Sequence, residues 1–406
     1  MNLITGEPYW PHVQPETARY PKLERDTECE ILIIGGGMSG ALAAYRLIQE
    51  GFTPVLVDSR DIAGGSTAVN TGIVHVFNDK PLTSCIHTFG EENGVAFYNL
   101  CVEAVRILGE ICRAEKLDTH FMQRDSLYLA SDEKDVPMLL EEYRTLVKYG
   151  IQAEYLTPGR IANKFSFTKP GAILTPEGSA INPYAFVHGL IAASAAKGMK
   201  VYTGTEIVSR VDTKDGIVFT TRNRCRIRTR RAVYSTGHEA QEIRRNPNAK
   251  LLTTYALVTK PLQEITGWHK ECMIWETARP YLYMRTTGDG RVIIGGEDER
   301  LMSEEERAKR LRVKKDVLLQ KAKELFPHLD LQAEYAWAGI FGATHDGYPM
   351  IGTQPGFPNS QFSLGYGGNG IVYSVLGAEI IAARATGRPH PGEALFRFDR
   401  KRSGIN

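Results

Sequence analysis

The sequence has no pair of cysteines at C-x-x-C spacing. Its six cysteines, Cys29, Cys85, Cys101, Cys112, Cys225 and Cys272, are scattered, and no histidine cluster accompanies them at metal-ligand spacing. That excludes a redox-active cysteine pair and a zinc site, so no metal is expected, and reduced thiols point to a cytoplasmic setting. No apolar run approaches the ~20 residues of a membrane span. The N-terminal stretch lacks the basic-then-apolar pattern of a secretion signal. Neither sign of charge is in excess: 49 basic against 47 acidic residues leave a net +2. Nucleic acid and anionic membrane are therefore not expected as partners. There is no internal repeat and no low-complexity tract.

The chain of 406 residues, 42% apolar and 24% charged, is long enough for two or three globular units with a large core. Thirty-nine glycines call for a reason, and tight turns around a ligand supply one. Glu30 to Ile34 reads as a short, β-branched, buried parallel strand. Gly35-Gly36-Gly37-Met38-Ser39-Gly40 follows at once, then a helix from Ala41 to Glu50 with Gly51 as its stop. A second strand, Pro54 to Val57, ends in Asp58. In this order the residues build a dinucleotide site. Gly35 allows the turn, Gly37 lets backbone approach a pyrophosphate, and Gly40 lets the helix pack on the strand. The helix N-terminus attracts the phosphates, with Met38 and Ser39 in its first turn. Asp58 accepts from a ribose hydroxyl, which suits an unphosphorylated ribose and argues against NADP.

A second small-residue loop runs from Ser59 to Ile73 and includes Gly65, Ser66, Thr67, Thr71 and Gly72. It can lay N–H and O–H donors along a second phosphate and a flat ring, which an NAD site at this position does not need. From here the sequence resembles the D-amino acid oxidase family of flavoproteins, which includes glycine oxidase, sarcosine oxidase and dimethylglycine dehydrogenase. The resemblance runs from about residue 28 to 390. Thr71-Gly72-Ile73 matches the family's segment that crosses the flavin near N5, and Ser66 and Thr67 match its phosphate-contacting hydroxyls. Glu206-Ile207-Val208 resembles the strand that contacts adenine, so Val208 is implied there. Ala232 to Gly237 resembles the strand and Thr-Gly turn beside the nucleotide, which brings in Thr236 and Gly237. Trp337-Ala338-Gly339 to Asp346-Gly347-Tyr348-Pro349-Met350-Ile351-Gly352 resembles the late family signature. Gly367-Gly368-Asn369-Gly370-Ile371 then opens a last helix, whose free N–H groups face the flavin.

The resemblance implies an α/β fold. Its core is a discontinuous Rossmann-like FAD-binding domain of the glutathione-reductase type, from segments 28–95, 155–245 and 337–395. A mixed-sheet α+β substrate domain comes from 96–154 and 246–336, and residues 1–27 form an N-terminal arm. Within the substrate domain, Tyr281 to Arg285 and Arg291 to Ile294 flank a Gly-Asp-Gly turn, a hairpin signal. Ser303 with Glu306 forms a capping box before a long helix. The period-two arginines from Arg222 to Arg230 read as the wet face of a strand pair.

The implied activity is FAD-dependent oxidation of the C–N bond of a small amine or amino-acid-like substrate. The hydride passes to flavin N5, and O2 acts as acceptor to give H2O2 and an imine. The rival within the fold is a dehydrogenase that passes electrons to a quinone or carrier protein. The rival of another class is a flavin-binding protein without turnover. Since the cofactor carries the hard chemistry, no catalytic dyad is required. Family arginines that clamp a substrate carboxylate are replaced by Phe341 and Gly368. Tyr255, Arg279, Tyr283 and His345 are the candidates for substrate contact. His75 lies past the Gly-hydrophobic pair and no cysteine follows Cys272, so FAD is expected to be non-covalent.

Overall fold

The computed structural model describes residues 2–14, 16–76 and 80–400. Its core begins with the strand Thr27–Ile34, whose last residues are buried on both faces, as a parallel strand between helical layers must be. It pairs in parallel with Val55–Val57 on one side and Arg226–Tyr234 on the other. Lys200–Tyr202 extends the parallel run beyond Val55–Val57, and Ser360–Leu364 beyond Arg226–Tyr234. The result is an eight-stranded sheet completed by Met350–Gly352 and by the strands Ile207–Thr213 and Gly216–Thr221. Along Arg226–Tyr234 the exposed arginines alternate with buried residues. Arg228 pairs with Glu28, Arg231 with Glu30, and Arg222 with Glu206. They form a solvated face, as the period of two predicts.

The second sheet has ten strands and is mixed. It runs Ile4–Gly6, Ala333–Thr344, Ala249–Thr259, Val292–Arg300, Leu282–Thr286, Met273–Glu276, Met122–Leu129, Ala172–Ala180 and Ile73–His75, with Glu154–Leu156 beside Ala172–Ala180. The Gly-Asp-Gly turn does close a hairpin, with Thr286 opposite Val292. Ser303 Oγ accepts from the Glu306 amide at 3.3 Å and caps the helix Glu304–Leu325.

Sheet membership cuts across the expected segment boundaries. Ile73–His75, Ala172–Ala180 and most of Ala333–Thr344 fall in segments assigned to the nucleotide unit, yet all pair in the larger sheet. The helix Glu91–Ala114, assigned mostly to the substrate unit, buries Phe97, Tyr98, Cys101, Ala104 and Leu108 in the core shared with the helices Met38–Gln49 and Gly370–Ala385. An apolar stripe states that a helix packs, but not which sheet it covers.

Residues 2–14, which the sequence left as an arm, are ordered structure. Ile4–Gly6 is the edge strand of the larger sheet, antiparallel to Ala333–Thr344 with Ile4 opposite Gly339. Tyr9 and Trp10 are buried against Val258, Ile293 and Trp337.

Candidate active site

A cavity of about 870 Å³ lies between the two sheets. The turn after Thr27–Ile34 forms one wall. At Gly40 a Cβ would fall inside the carbonyl oxygen of Gly35, so the first turn of the helix sits directly on the turn before it. Gly40 therefore supports the wall from behind, while Gly35, Gly37, Met38 and Ser39 line it. Thr67 Oγ1 accepts from the Met38 amide at 3.1 Å and ties the second small-residue loop to this helix. Asp58 also lines the cavity. Its Oδ2 accepts from the Gly36 amide at 2.6 Å and its Oδ1 from the Arg60 amide at 2.7 Å. Burial pushes the Asp58 carboxyl up, opposed by those two donors. Each of its oxygens keeps a second lone pair for a hydroxyl.

Ser59, Gly65, Ser66, Thr67, Thr71 and Ile73 continue the lining from the second loop. Val208, Thr236 and Gly237 close the far end, and Gly339, Gly367, Gly368, Gly370 and Ile371 the opposite wall. Two further predicted residues, besides Gly40, stand behind the lining. Gly72 backs onto Ile181. Asn369 is fully buried, and its Nδ2 donates to the His75 carbonyl at 2.6 Å. The helix Gly370–Ala385 begins here, and Ser374 on it meets Ser39 hydroxyl to hydroxyl at 2.7 Å, so two helix N-termini converge on one cavity.

The end walled by the larger sheet is aromatic. Trp275 stacks on Tyr128 at 3.7 Å and donates Nε1–H to Ser126 Oγ at 3.1 Å. The His75 ring meets Trp275 edge-on at 5.4 Å. Tyr281, Tyr283, Phe341, Thr254 and Met273 complete this end. Among the described lining residues the only arginines are Arg60 and Arg210, both at the Asp58 end, and there is no lysine.

Of the four candidates for substrate contact, only Tyr283 faces the cavity. Tyr255 points the other way, its hydroxyl on Glu299 Oε2 at 2.9 Å, because side chains alternate along the strand and Thr254 takes the cavity face. Arg279 is exposed. Its guanidinium lies 5.1 Å from the Tyr281 ring centre and donates to the Ala278 carbonyl at 2.9 Å. His345 sits in a turn outside the cavity, its amide on the Asn248 carbonyl. Residues the sequence did not single out take their places: Trp275, Ser126, Met273 and, from the arm, Leu3.

The sequence profile of the DAO family of FAD-dependent oxidoreductases matches residues 30–384. The chain belongs to the DAO family of FAD-dependent oxidoreductases. Gamma-glutamylputrescine oxidoreductase of Escherichia coli is 22% identical over 375 residues, 90% of this chain and 85% of that protein. A Bacillus subtilis protein described as a putative Rieske 2Fe-2S iron-sulfur protein is 25% identical over 201 residues. That match spans 49% of this chain but only 38% of the relative's length. The crystal structure of glycine oxidase from Geobacillus kaustophilus superposes with a TM-score of 0.78 at 18% identity, covering 92% of this chain and 99% of that one.

The DAO cavity fits FAD by its own chemistry. Two helix N-termini face it, and Ser235 Oγ and Thr236 Oγ1 are buried at its wall without a partner among the described residues. Val208 and Ile243 line the Asp58 end although 50% and 42% exposed, apolar surface that a flat aromatic base would cover. No metal-binding group of His, Cys, Asp or Glu occurs among the described residues. No helix among them is long and apolar enough to cross a membrane.

Burial pushes the cavity histidines His75 and His238 down to about 4. An unfolded histidine takes up a proton near pH ~6.5. Between those values the unfolded chain binds more protons, so stability present above ~6.5 is lost as the pH falls toward 4. His238→Gln in the flavin-free protein is expected to remove up to ~1.4 kcal/mol per pH unit of that slope. Urea unfolding of both proteins across pH 4 to 6.5 checks this, and parallel profiles contradict it.

Proposed function

We propose that this protein oxidises the C–N bond of a small amine that carries no carboxylate beside the reacting carbon. The observation that carries this reading is the substrate end of the cavity. It is walled by Trp275, Tyr283 and Phe341, and no described arginine or lysine lines it. A carboxylate buried there has no partner to offset its desolvation. An amine gains instead, because an apolar surround favours its neutral form, the one that can release hydride. The relative named for gamma-glutamylputrescine supports this reading, and the structural neighbour named for glycine marks the α-amino acids as the rival substrates.

Bound FAD supplies the two-electron acceptor. The hydrogen on the substrate carbon leaves with both bonding electrons. The nitrogen lone pair closes the C=N bond, and a secondary or primary amine releases one proton. Trp275 and Phe341 exclude water and hold the substrate's apolar part. His75, neutral above pH ~5 because burial depresses it, is a poor base at neutral pH, and the reaction does not require one. With O2 as acceptor the two electrons and two protons appear as H2O2, and water hydrolyses the imine.

The test is anaerobic bleaching of the flavin band by a panel of alkyl and aryl amines, sarcosine, glycine, D- and L-amino acids and iminodiacids. Simple amines are expected to bleach at least ~10-fold faster than the α-amino acids of matching side chain, the order of one lost apolar-pocket contact. Faster bleaching by the amino acids overturns the reading. Rapid recolouring on readmitting air identifies an oxidase, and slow recolouring with fast reduction of a quinone identifies a dehydrogenase. No bleaching by any member leaves a flavin-binding protein.

A further inference from the structure

The segment Val69 to Ile73, which lines the cavity and ends in the Thr71-Gly72-Ile73 that resembles the family's flavin-crossing pattern, is held by its carbonyls one after another. Trp337 Nε1 donates to the Val69 carbonyl at 2.9 Å. Trp10 Nε1 donates to the Asn70 carbonyl at 2.6 Å. Arg285 Nε donates to the Thr71 carbonyl at 2.7 Å. The Ile181 amide donates to the Gly72 carbonyl at 3.0 Å. Asn70 Oδ1 turns back to accept the Gly72 amide at 2.7 Å. Val69, Asn70, Thr71 and Ile73 line the cavity on the other side. Every carbonyl from 69 to 72 is therefore fixed from behind, and one of the four donors comes from the arm.

The arm touches the cavity a second time. Leu3 lines it, with its methyl group 3.6 Å from where a Cβ on Gly65 would stand. The Leu3 carbonyl accepts from the Ile340 amide at 3.1 Å, and Ile340 and Gly339 line the cavity as well. The arm is anchored at both ends of this stretch. Arg307 donates to the Asn2 carbonyl at 2.8 Å and to Thr5 Oγ1 at 3.1 Å, and Tyr9 donates to Asp289 at 3.1 Å. The Trp10 ring also lies 5.5 Å from the Arg285 guanidinium, so it packs on the neighbouring donor of the same set.

We propose that residues 2–14 are a working part of the flavin site, with Trp10 as a positioning residue. Trp10 sets the Asn70 peptide, and through it Thr71 and Gly72, against the bound ring, while Leu3 closes the cavity wall. This inference rests on FAD occupying the cavity and not on the nature of the substrate.

The experiment uses the full chain and needs no substrate. Trp10→Phe keeps a ring in the pocket, removes the N–H donor and gives up part of the indole's packing, which the melting temperature reads separately. Tyr9→Phe removes a bond of the same arm, to the Asp289 carboxylate and not to a residue of the cavity lining, and serves as the structural control. FAD affinity is read by titrating flavin-free protein. The bound flavin is read by its absorbance fine structure and midpoint potential, and folding by the melting temperature of the flavin-free form. Trp10→Phe is expected to weaken FAD binding about 5- to 10-fold, the size of one hydrogen bond at ~1 kcal/mol, and to change the flavin spectrum and potential. Tyr9→Phe is expected to leave the spectrum and potential as in the unaltered protein. If Trp10→Phe does not fold, Leu3→Ala carries the test, with a change in the bound-flavin spectrum expected. Variants that shift only the melting temperature, with affinity, spectrum and potential unchanged, overturn the proposal. Failure of the unaltered protein to bind FAD overturns it separately.

Discussion

Replacement of Gly40 by alanine is expected to yield a protein that retains little flavin. The added Cβ would meet the carbonyl oxygen of Gly35, which is backbone with no flexible end to swing away. Gly35 itself has a φ of +113°, held by the bond from its amide to the Val57 carbonyl at 2.8 Å. The turn cannot retreat without losing that bond. The helix Met38–Gln49 must therefore slide off the turn, which strains the Met38–Thr67 bond and moves the helix-terminal amides of Ser39 and Gly40 away from the place where phosphates would sit. Overpacking of this kind costs ~1–3 kcal/mol in the fold. The effect on the cofactor is larger, because two helix-terminal amides lose their aim together. An FAD affinity at least ~100-fold weaker is expected, equivalent to ~2.7 kcal/mol. Flavin content after purification and titration of the flavin-free protein measure it. Retention of FAD at full occupancy would show that the turn yields where its hydrogen bonds say it cannot.

Arg285→Met should produce the second large effect, on stability and on the flavin together. Arg285 is buried, and among the described residues no carboxylate pairs with it. Its nitrogens donate to the carbonyls of Thr71, Thr286 and Ile181. Burial pushes the guanidinium down to about 9, so it remains charged at neutral pH. Methionine fills much of the space but leaves three buried carbonyls without their donor, at ~1–3 kcal/mol each and less than additive. A loss of ~3 kcal/mol or more in urea unfolding is expected. The charge stands within 2.6 Å of where a Cβ on Gly72 would be, directly behind the flavin-crossing backbone. Its removal withdraws a positive potential from the side of the ring that gains electrons, so the midpoint potential should become more negative. Arg285→Lys keeps the charge and loses the fork, and should recover most of the potential and little of the stability. A potential unchanged in both variants rules out the electrostatic part.

The nucleotide half of this site was legible in the sequence because its chemistry is backbone chemistry. Gly35, Gly37 and Gly40 at fixed spacing between a β-branched strand and a helix leave few other structures, and Asp58 stands where the next strand ends. The substrate half depends on which face of a strand looks inward. In Ala249–Thr259 both faces are apolar, Tyr255 and Leu257 in one cluster and Ala256 and Val258 in another, so the pattern carries no sign of direction. The resemblance points to this strand, but nothing in the pattern tells Thr254 from Tyr255 as the residue that faces the cavity. Arg279 is a candidate for substrate contact because it precedes the strand of Tyr281 and Tyr283, but it is exposed and packs on the Tyr281 ring outside the cavity lining. The arm gave no periodic signal at all. Its strand is three residues long, and Trp10 acts through one indole N–H on a carbonyl sixty residues away.

The apolar lip formed by Val208 and Ile243 has a consequence for the life of the protein outside the catalytic cycle. With flavin bound, a base would cover that lip. Without it, the molecule carries two large aliphatic groups beside an open cleft between its sheets, a surface suited to self-association. Ligand binding to the folded chain alone adds RT ln(1 + [FAD]/Kd) to its stability, about 2.7 kcal/mol at a hundredfold excess over Kd. Bound flavin would therefore raise the melting temperature in step with its concentration and cover this apolar lip at the same time.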